Sequence, residues 1–149
     1  MFIRLFYLLV STFSLAISLS SIAIAETAQS GCTFSQFLPG YLATDKILPT
    51  KLASLPNTGG TAIEVTVTCN QPSKLMVLPP RQTSGINFTP VSAVATVETP
   101  TGLSINSNQA SSLPLSVGTT SLIINIFVDK GSPLAAGNYA FAAELTIIP

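Results

Sequence analysis

The sequence contains no histidine, and only 8% of its 149 residues are charged. Histidine is the side chain that most often serves as a general base near neutral pH, so its absence removes the commonest starting point for acid–base catalysis. The six basic and six acidic side chains cancel, which leaves no basic field to attract nucleic acid or anionic lipid. These absences argue against an enzyme and against a nucleic-acid-binding protein.

Motifs that carry chemistry are also missing. The chain has no Gly-x-Ser-x-Gly elbow, no Ser-x-x-Lys with partners, no glycine-rich phosphate loop and no calcium loop. Its acidic residues after the first twenty-five stand singly in predicted strands or turns, where solvated side chains are expected: Glu26, Asp45, Glu64, Glu98, Asp129 and Glu144. We therefore expect no catalytic residue, no metal site and no cofactor.

The N-terminus has the pattern of a secretory signal peptide. Met1–Arg4 carries one positive charge, and Leu5–Ile24 is uncharged and largely apolar. The small residue Ala25 closes an Ala-x-Ala motif just before the polar Glu26, which predicts cleavage between them. Residues 26–149 then form a single exported domain. The alternative is an uncleaved membrane anchor, because twenty uncharged residues can span a bilayer.

Only two cysteines are present, Cys32 and Cys69. Compartments beyond the inner membrane are oxidising, so an exported chain with two cysteines is expected to pair them. Closing this loop would stabilise the fold by roughly 3.5–4 kcal/mol in the chain-entropy model. Two free buried thiols are the alternative, whereas metal binding lacks further soft or imidazole ligands.

The clearest β-pattern is Thr61–Cys69. Ile63, Val65 and Val67 alternate with polar residues, and Cys69 has the same parity as this apolar set. A period of two predicts a strand with one buried and one solvated face. These three apolar residues are therefore expected to form a core strand that also carries the disulfide.

Other stretches share either this alternation or a high content of β-branched residues. The predicted strands are Cys32–Leu38, Lys74–Leu78, Ile86–Thr89, Val91–Val97, Leu103–Ile105, Leu113–Val117, Leu122–Val128 and Tyr139–Ile148. Pro114 confines its strand to a sheet edge. In the last strand the inward-facing residues are expected to be Tyr139, Phe141, Ala143, Leu145 and Ile147. Short strands, frequent turns and one inter-strand disulfide predict an all-β, immunoglobulin-like sandwich.

Three segments give the chain a family resemblance. They are Ser30-Gly31-Cys32-Thr33, Thr58-Gly59-Gly60 leading into Val65–Cys69, and Ala136-Gly137-Asn138-Tyr139 followed by Leu145-Thr146-Ile147. In order and content these segments resemble spore coat protein U-type domains, the pilin-like subunits of archaic chaperone–usher systems. The likeness covers the first third of the chain and its last fifteen residues or so.

This resemblance implies a pilin-like sandwich that lacks its final strand. A periplasmic chaperone would hold such a domain until an outer-membrane usher passes it to other pilin-like subunits, one of which completes the sheet by strand addition. The acceptor groove would lie beside the last strand. The protein would pass through the periplasm and end at the outer cell surface or in the medium.

Family members that polymerise carry an alternating donor segment before the first cysteine. Here Glu26–Gly31 spans about 20 Å when extended and contains no large apolar residue. This lead predicts a subunit that accepts a strand without donating one, as at the tip of a fibre. The alternative function is a free-standing periplasmic or surface β-sandwich that binds a glycan or a protein.

Overall fold

The computed structural model describes residues 31–44 and 49–149. The predicted signal peptide and its cleavage point between Ala25 and Glu26 lie outside these residues, as does most of the polar lead before Cys32. The described residues form one 3-10 turn, Pro56–Thr58, and twelve strands: β1 Cys32–Leu38, β2 Ala43–Thr44, β3 Lys51–Ala53, β4 Ile63–Cys69, β5 Ser73–Val77, β6 Arg81–Gly85, β7 Ser92–Glu98, β8 Ser104–Asn106, β9 Leu113–Leu115, β10 Gly118–Asp129, β11 Tyr139–Ala142 and β12 Leu145–Ile148.

The longest strand, β10, organises the first sheet. Along one side it pairs with β4, from Gly118 opposite Cys69 onwards, and then with β3. Along its other side it pairs with β7, and β8 lies beyond β7. The opposite margin is formed by β1 on β4 and by β2 on β3. All of these pairings are antiparallel.

The second sheet consists of two short sections that continue one another. In one section β5 pairs with both β9 and β12, and in the other β6 pairs with β11. The backbone N–H of Leu78 donates to the carbonyl of Glu144 at 3.0 Å, which joins the sections at the break between them. Pro79 follows immediately and has no N–H for a ladder, so β5 cannot continue unbroken into β6.

Apolar side chains from both sheets fill the space between them. The larger cluster surrounds the disulfide and contains fully buried residues of each sheet, among them Val67, Leu122, Leu75 and Leu113. The smaller cluster contains Leu52, Phe88, Ile126 and Val128. The protein is therefore an all-β sandwich of antiparallel sheets, as the sequence predicts.

Alternation predicts the central strands correctly. In β4, Val65, Val67 and Cys69 are buried while Glu64 is exposed. The predicted Leu122–Val128 strand forms the second half of β10, where Leu122, Ile124, Ile126 and Val128 are buried. Leu113–Leu115 is an edge strand with Pro114 exposed, as expected of a residue that cannot donate to a ladder.

The predicted strand Ile86–Thr89 is wrong. Residues 86–91 form a loop, and the strand lies earlier, at β6. The Gln82 side chain hydrogen-bonds to the backbone of this loop. Its Nε2 donates to the Ile86 carbonyl at 2.6 Å, and its Oε1 accepts from the Phe88 N–H at 2.9 Å. Phe88 is buried without belonging to a strand. Its ring packs edge-on against Tyr139 and Phe141, with centroids 5.8 and 5.2 Å away.

Most of the other predicted strands begin or end at least one residue from their predicted bounds; Leu113–Val117, for example, ends at Leu115. β7 begins at Ser92, so Val91, the first residue of the predicted strand, lies before it and is 73% exposed. The predicted strand Tyr139–Ile148 is divided into β11 and β12 at Ala143 and Glu144, opposite the break between β5 and β6.

Candidate functional site

The two sides of the sandwich are closed to different extents. On one side, β8 and β9 cover the core, and their inward residues Ile105, Leu113 and Leu115 are all buried. On the other side, Phe34 of β1 and Leu145 of β12 pack against the same core but remain only half-buried. Inward-facing residues of the edge strands are therefore fully buried on the β8 and β9 side, whereas those on the β1 and β12 side remain partly exposed to solvent.

A groove of about 200 Å³ lies on this open side. Its floor consists of aliphatic side chains from the first sheet, Ile63, Val65 and Ile124. Its walls come from the two sheet margins, and the lining residues there are Phe34, Phe37, Pro39, Gly40, Arg81, Phe141, Ala142, Ala143, Glu144 and Leu145. The groove therefore separates the edge of one sheet from the edge of the other.

The β1 edge of the groove presents free backbone groups. Asn70 donates its N–H to the Gly31 carbonyl at 2.7 Å, which marks this pair as hydrogen-bonded. Hydrogen-bonded and non-hydrogen-bonded pairs alternate in an antiparallel ladder, so Cys32 and Phe34 direct their N–H and C=O groups away from β4. Within the described residues, no strand pairs with this outer edge of β1.

The β12 edge is arranged in the same way. The pairing of Leu78 with Glu144 is hydrogen-bonded, so the residues of the opposite parity, Leu145 and Ile147, direct their N–H and C=O groups away from β5. Both residues also turn their side chains toward the core. Across residues 49–149 and the described part of the N-terminal segment, β12 has β5 as its only strand partner.

The two edges run in opposite directions. From Phe34 the chain of β1 leads from the disulfide cluster toward Leu42, which packs on the smaller cluster. From Phe141 the last two strands lead back from the smaller cluster to Ile147 at the larger one. An extended chain placed between the edges would therefore be parallel to one of them and antiparallel to the other.

Two charged residues line the groove where the second sheet is interrupted. Arg81 begins β6 and pairs with Ala142, and Glu144 lies between β11 and β12. Both side chains are exposed, so they flank an otherwise apolar groove and remain solvated. Any bound segment would have to leave these two groups in contact with water or with its own polar atoms.

The structure brings several of the predicted site residues together. Cys32 and Cys69 form the disulfide. Of the predicted core strand, Ile63 and Val65 line the groove floor, whereas Val67 is completely buried in the larger core cluster. Of the last-strand residues, Phe141, Ala143 and Leu145 line the groove, while Tyr139 and Ile147 pack on the core to either side.

Sequence reasoning missed the opposite wall and part of the floor. Phe34 and Phe37 of β1 are the main aromatic residues of that wall, and Ile124 of β10 completes the floor. The spacing Cys-x-Phe-x-x-Phe is a signal that could have identified the wall, because a step of three residues interrupts the alternation of an ordinary strand. No comparable local signal marks Ile124.

In residues 31–44 and 49–149, no helix is long and apolar enough to cross a membrane. The same residues contain no cluster of three or more Cys, Asp or Glu side chains that could hold a metal ion. Comparison with known proteins finds no matching family model, no matching curated protein and no matching solved structure.

Proposed function

We propose that the protein is an exported subunit of a cell-surface fibre and that its groove accepts an extended strand from a partner chain. The observation that carries this proposal is an apolar groove bordered by two sheet edges that have no strand partner within residues 31–44 and 49–149. An apolar floor favours burial of apolar side chains, and free N–H and C=O groups favour a polypeptide backbone. A lipid or a small apolar molecule would satisfy the floor and leave the edges unpaired.

The burial of the β12 side chains supports an occupant that adds a strand to the second sheet beside β12. Leu145 and Ile147 combine inward side chains with outward backbone groups, which is the arrangement of a strand lacking one neighbour. A strand added here would hydrogen-bond to β12 and place alternate side chains over Val65 and Ile124. Each backbone hydrogen bond would contribute about 0.5–1.5 kcal/mol.

The resemblance to spore coat protein U-type domains supplies the proposed partners. A periplasmic chaperone would occupy the groove during export, an outer-membrane usher would receive the complex, and another pilin-like subunit would replace the chaperone. Such contacts are heterologous, so they can extend into a fibre. The buried disulfide is compatible with an oxidising compartment on this route.

Strand acceptance can be tested on the exported full-length protein. The probe is a synthetic peptide of about ten residues that alternates Val with Thr and has Lys at both ends. If the groove accepts it, thermal unfolding shifts upward with peptide concentration, by an amount equivalent to about 2.7 kcal/mol at a hundredfold excess over Kd. A peptide of the same composition with the alternation scrambled is the control.

The competing function makes a different prediction. A free-standing module that binds a glycan or a protein elsewhere would unfold as a monomer in a sharp, reversible transition that neither peptide changes. That result would overturn strand acceptance. A response to the alternating peptide alone would support it, because the two peptides differ only in the pattern of their side chains.

A further inference from the structure

The edge strand β1 contains one more residue than its partner requires. Ser35 lies opposite Thr66 and Phe37 lies opposite Val65, so Gln36 has no counterpart on β4. Its φ is 48°, and it is the only residue other than glycine with a positive φ in the described part of the chain. This combination is a β-bulge with its extra residue in the left-handed region.

The bulge changes the direction of every side chain that follows it. In a regular strand, Phe34 and Gln36 would face the same way and Phe37 would face the opposite way. With the extra residue, Phe34 opposite Val67 and Phe37 opposite Val65 share the inward face. Both rings consequently line the groove.

The two rings acquire the spacing of an extended chain. Val65 and Val67 are two positions apart on β4, so the residues opposite them lie about 7 Å apart along the edge. Alternate side chains of any extended segment recur at the same interval. An unbulged β1 would offer one aromatic ring and one glutamine at these two positions.

The exposed side chain of Gln36 makes no buried contact that would offset its unfavourable backbone conformation. Its side chain is exposed, and the left-handed region is unfavourable for a residue with a Cβ. The residue whose position depends on it is Phe37, which lies at the mouth of the groove with 40% of its surface exposed. Strained residues often occur where a side chain has to be directed toward a ligand.

We propose that the Gln36 bulge is the specificity-determining element of the groove. It aligns Phe37 with Phe34 so that the groove prefers an extended segment with two consecutive inward apolar side chains, each packed against one ring. Gln36 is a positioning residue that acts through Phe37. This inference rests on the proposed strand acceptance and adds the side-chain pattern that the partner segment must carry.

The test measures the Kd of the alternating Val–Thr peptide for the full-length protein and its variants. Phe37→Ala removes the second ring and should weaken binding at least about tenfold, equivalent to about 1.4 kcal/mol. Leu38→Ala is the matched control, because Leu38 is 60% exposed and is not part of the groove lining. It should leave Kd within about twofold.

Two substitutions at position 36 test the positioning role at constant chain length. Gln36→Gly favours a positive φ and should keep or improve peptide binding. Gln36→Val opposes a positive φ and should weaken binding by about the same factor as Phe37→Ala. Adding Phe37→Ala to Gln36→Val should then cause little further loss, because both changes remove the same contact.

Each result bears on a specific statement. If the wild type does not bind the peptide, strand acceptance and this inference both fail. If the wild type binds and Phe37→Ala binds equally well, only the inference fails. If Phe37→Ala weakens binding but Gln36→Gly and Gln36→Val are indistinguishable, the positioning role of the bulge is overturned. Because Phe37→Ala and Leu38→Ala alter no backbone requirement, they decide the role of the ring even if Gln36→Val does not fold.

Discussion

Cys32 and Cys69 lie directly opposite each other on β1 and β4, with their Cα atoms 3.9 Å apart and their sulfur atoms bonded. β1 is an edge strand, so this bond ties a wall of the groove to the strand that forms its floor. Both residues are buried in the larger core cluster. The disulfide therefore stabilises both the core and the geometry of the open side.

Replacing Cys32 by Ala should lower the free energy of unfolding by about 3.5–4 kcal/mol, because the closed loop spans a sequence separation of 37 residues. Urea denaturation of the wild-type protein and the variant measures this change. Hydrogen exchange should also increase more in β1 than in β10, which is paired on both sides. Recovery of two alkylatable thiols from the native wild type would contradict the bond itself.

Ser54, the residue after β3, makes a buried hydrogen bond to β10. Its Oγ accepts from the Ile126 N–H at 2.8 Å, and its side chain is 1% exposed. Ser54→Ala should destabilise the protein by about 1–3 kcal/mol, since the Ile126 N–H loses that partner without gaining water. Calorimetry measures the shift, with the exposed Ser121→Ala as control. Equal effects of the two substitutions would show that burial of this bond is unimportant.

Phe88 anchors the loop before β7 against β11. Its ring is 4% exposed and packs edge-on against two other aromatic rings. Phe88→Ala should cost about 3–5 kcal/mol through lost burial and a cavity. Val91→Ala, in the same loop but 73% exposed, should change stability by less than about 0.5 kcal/mol. Chemical denaturation of both variants measures these changes in the free energy of unfolding. Similar losses for the two variants would contradict the anchoring role of Phe88.

Ala143 lines the groove, and its small side chain leaves part of the groove empty. Ala143→Leu should raise the stability of the isolated protein by up to about 2 kcal/mol through added apolar burial. The same change should weaken binding of an extended peptide, because the leucine occupies the space that the peptide needs. Thermal unfolding with and without the alternating peptide measures both effects.

The control for this substitution is Thr146→Leu, because Thr146 is exposed and absent from the groove lining. It should leave peptide binding unchanged. A stabilised Ala143→Leu variant that binds the peptide as well as the wild type would place the binding site outside the groove.

Local sequence pattern was sufficient to predict the strands at the centre of the fold. In β4 and in the second half of β10, alternate residues are apolar and are in fact buried. The alternation of side-chain direction is a property of each strand alone, so it can be read without knowing the neighbours. The pairing of Cys32 with Cys69 was equally predictable, because they are the only two cysteines and the N-terminus predicts export.

Other features depended on residues outside the segment concerned. The alternating apolar residues around Phe88 predict a strand, but the segment is a loop whose backbone groups are hydrogen-bonded by the Gln82 side chain and not by a neighbouring strand. The break after Ala142 likewise follows from Pro79 on the paired segment. Neither interaction can be inferred from the segment that it reshapes.

The sequence by itself determined the all-β class, the central strands, the disulfide and the inward residues of the last strand. Only the tertiary structure decided that β1 and β12 lie on the same side of the sandwich, that each has one strand partner among the described residues, and that Gln36 turns Phe37 into the space between them. The physical reason is that side-chain alternation follows from the local backbone. Whether a strand has one neighbour or two depends on the path of the whole chain.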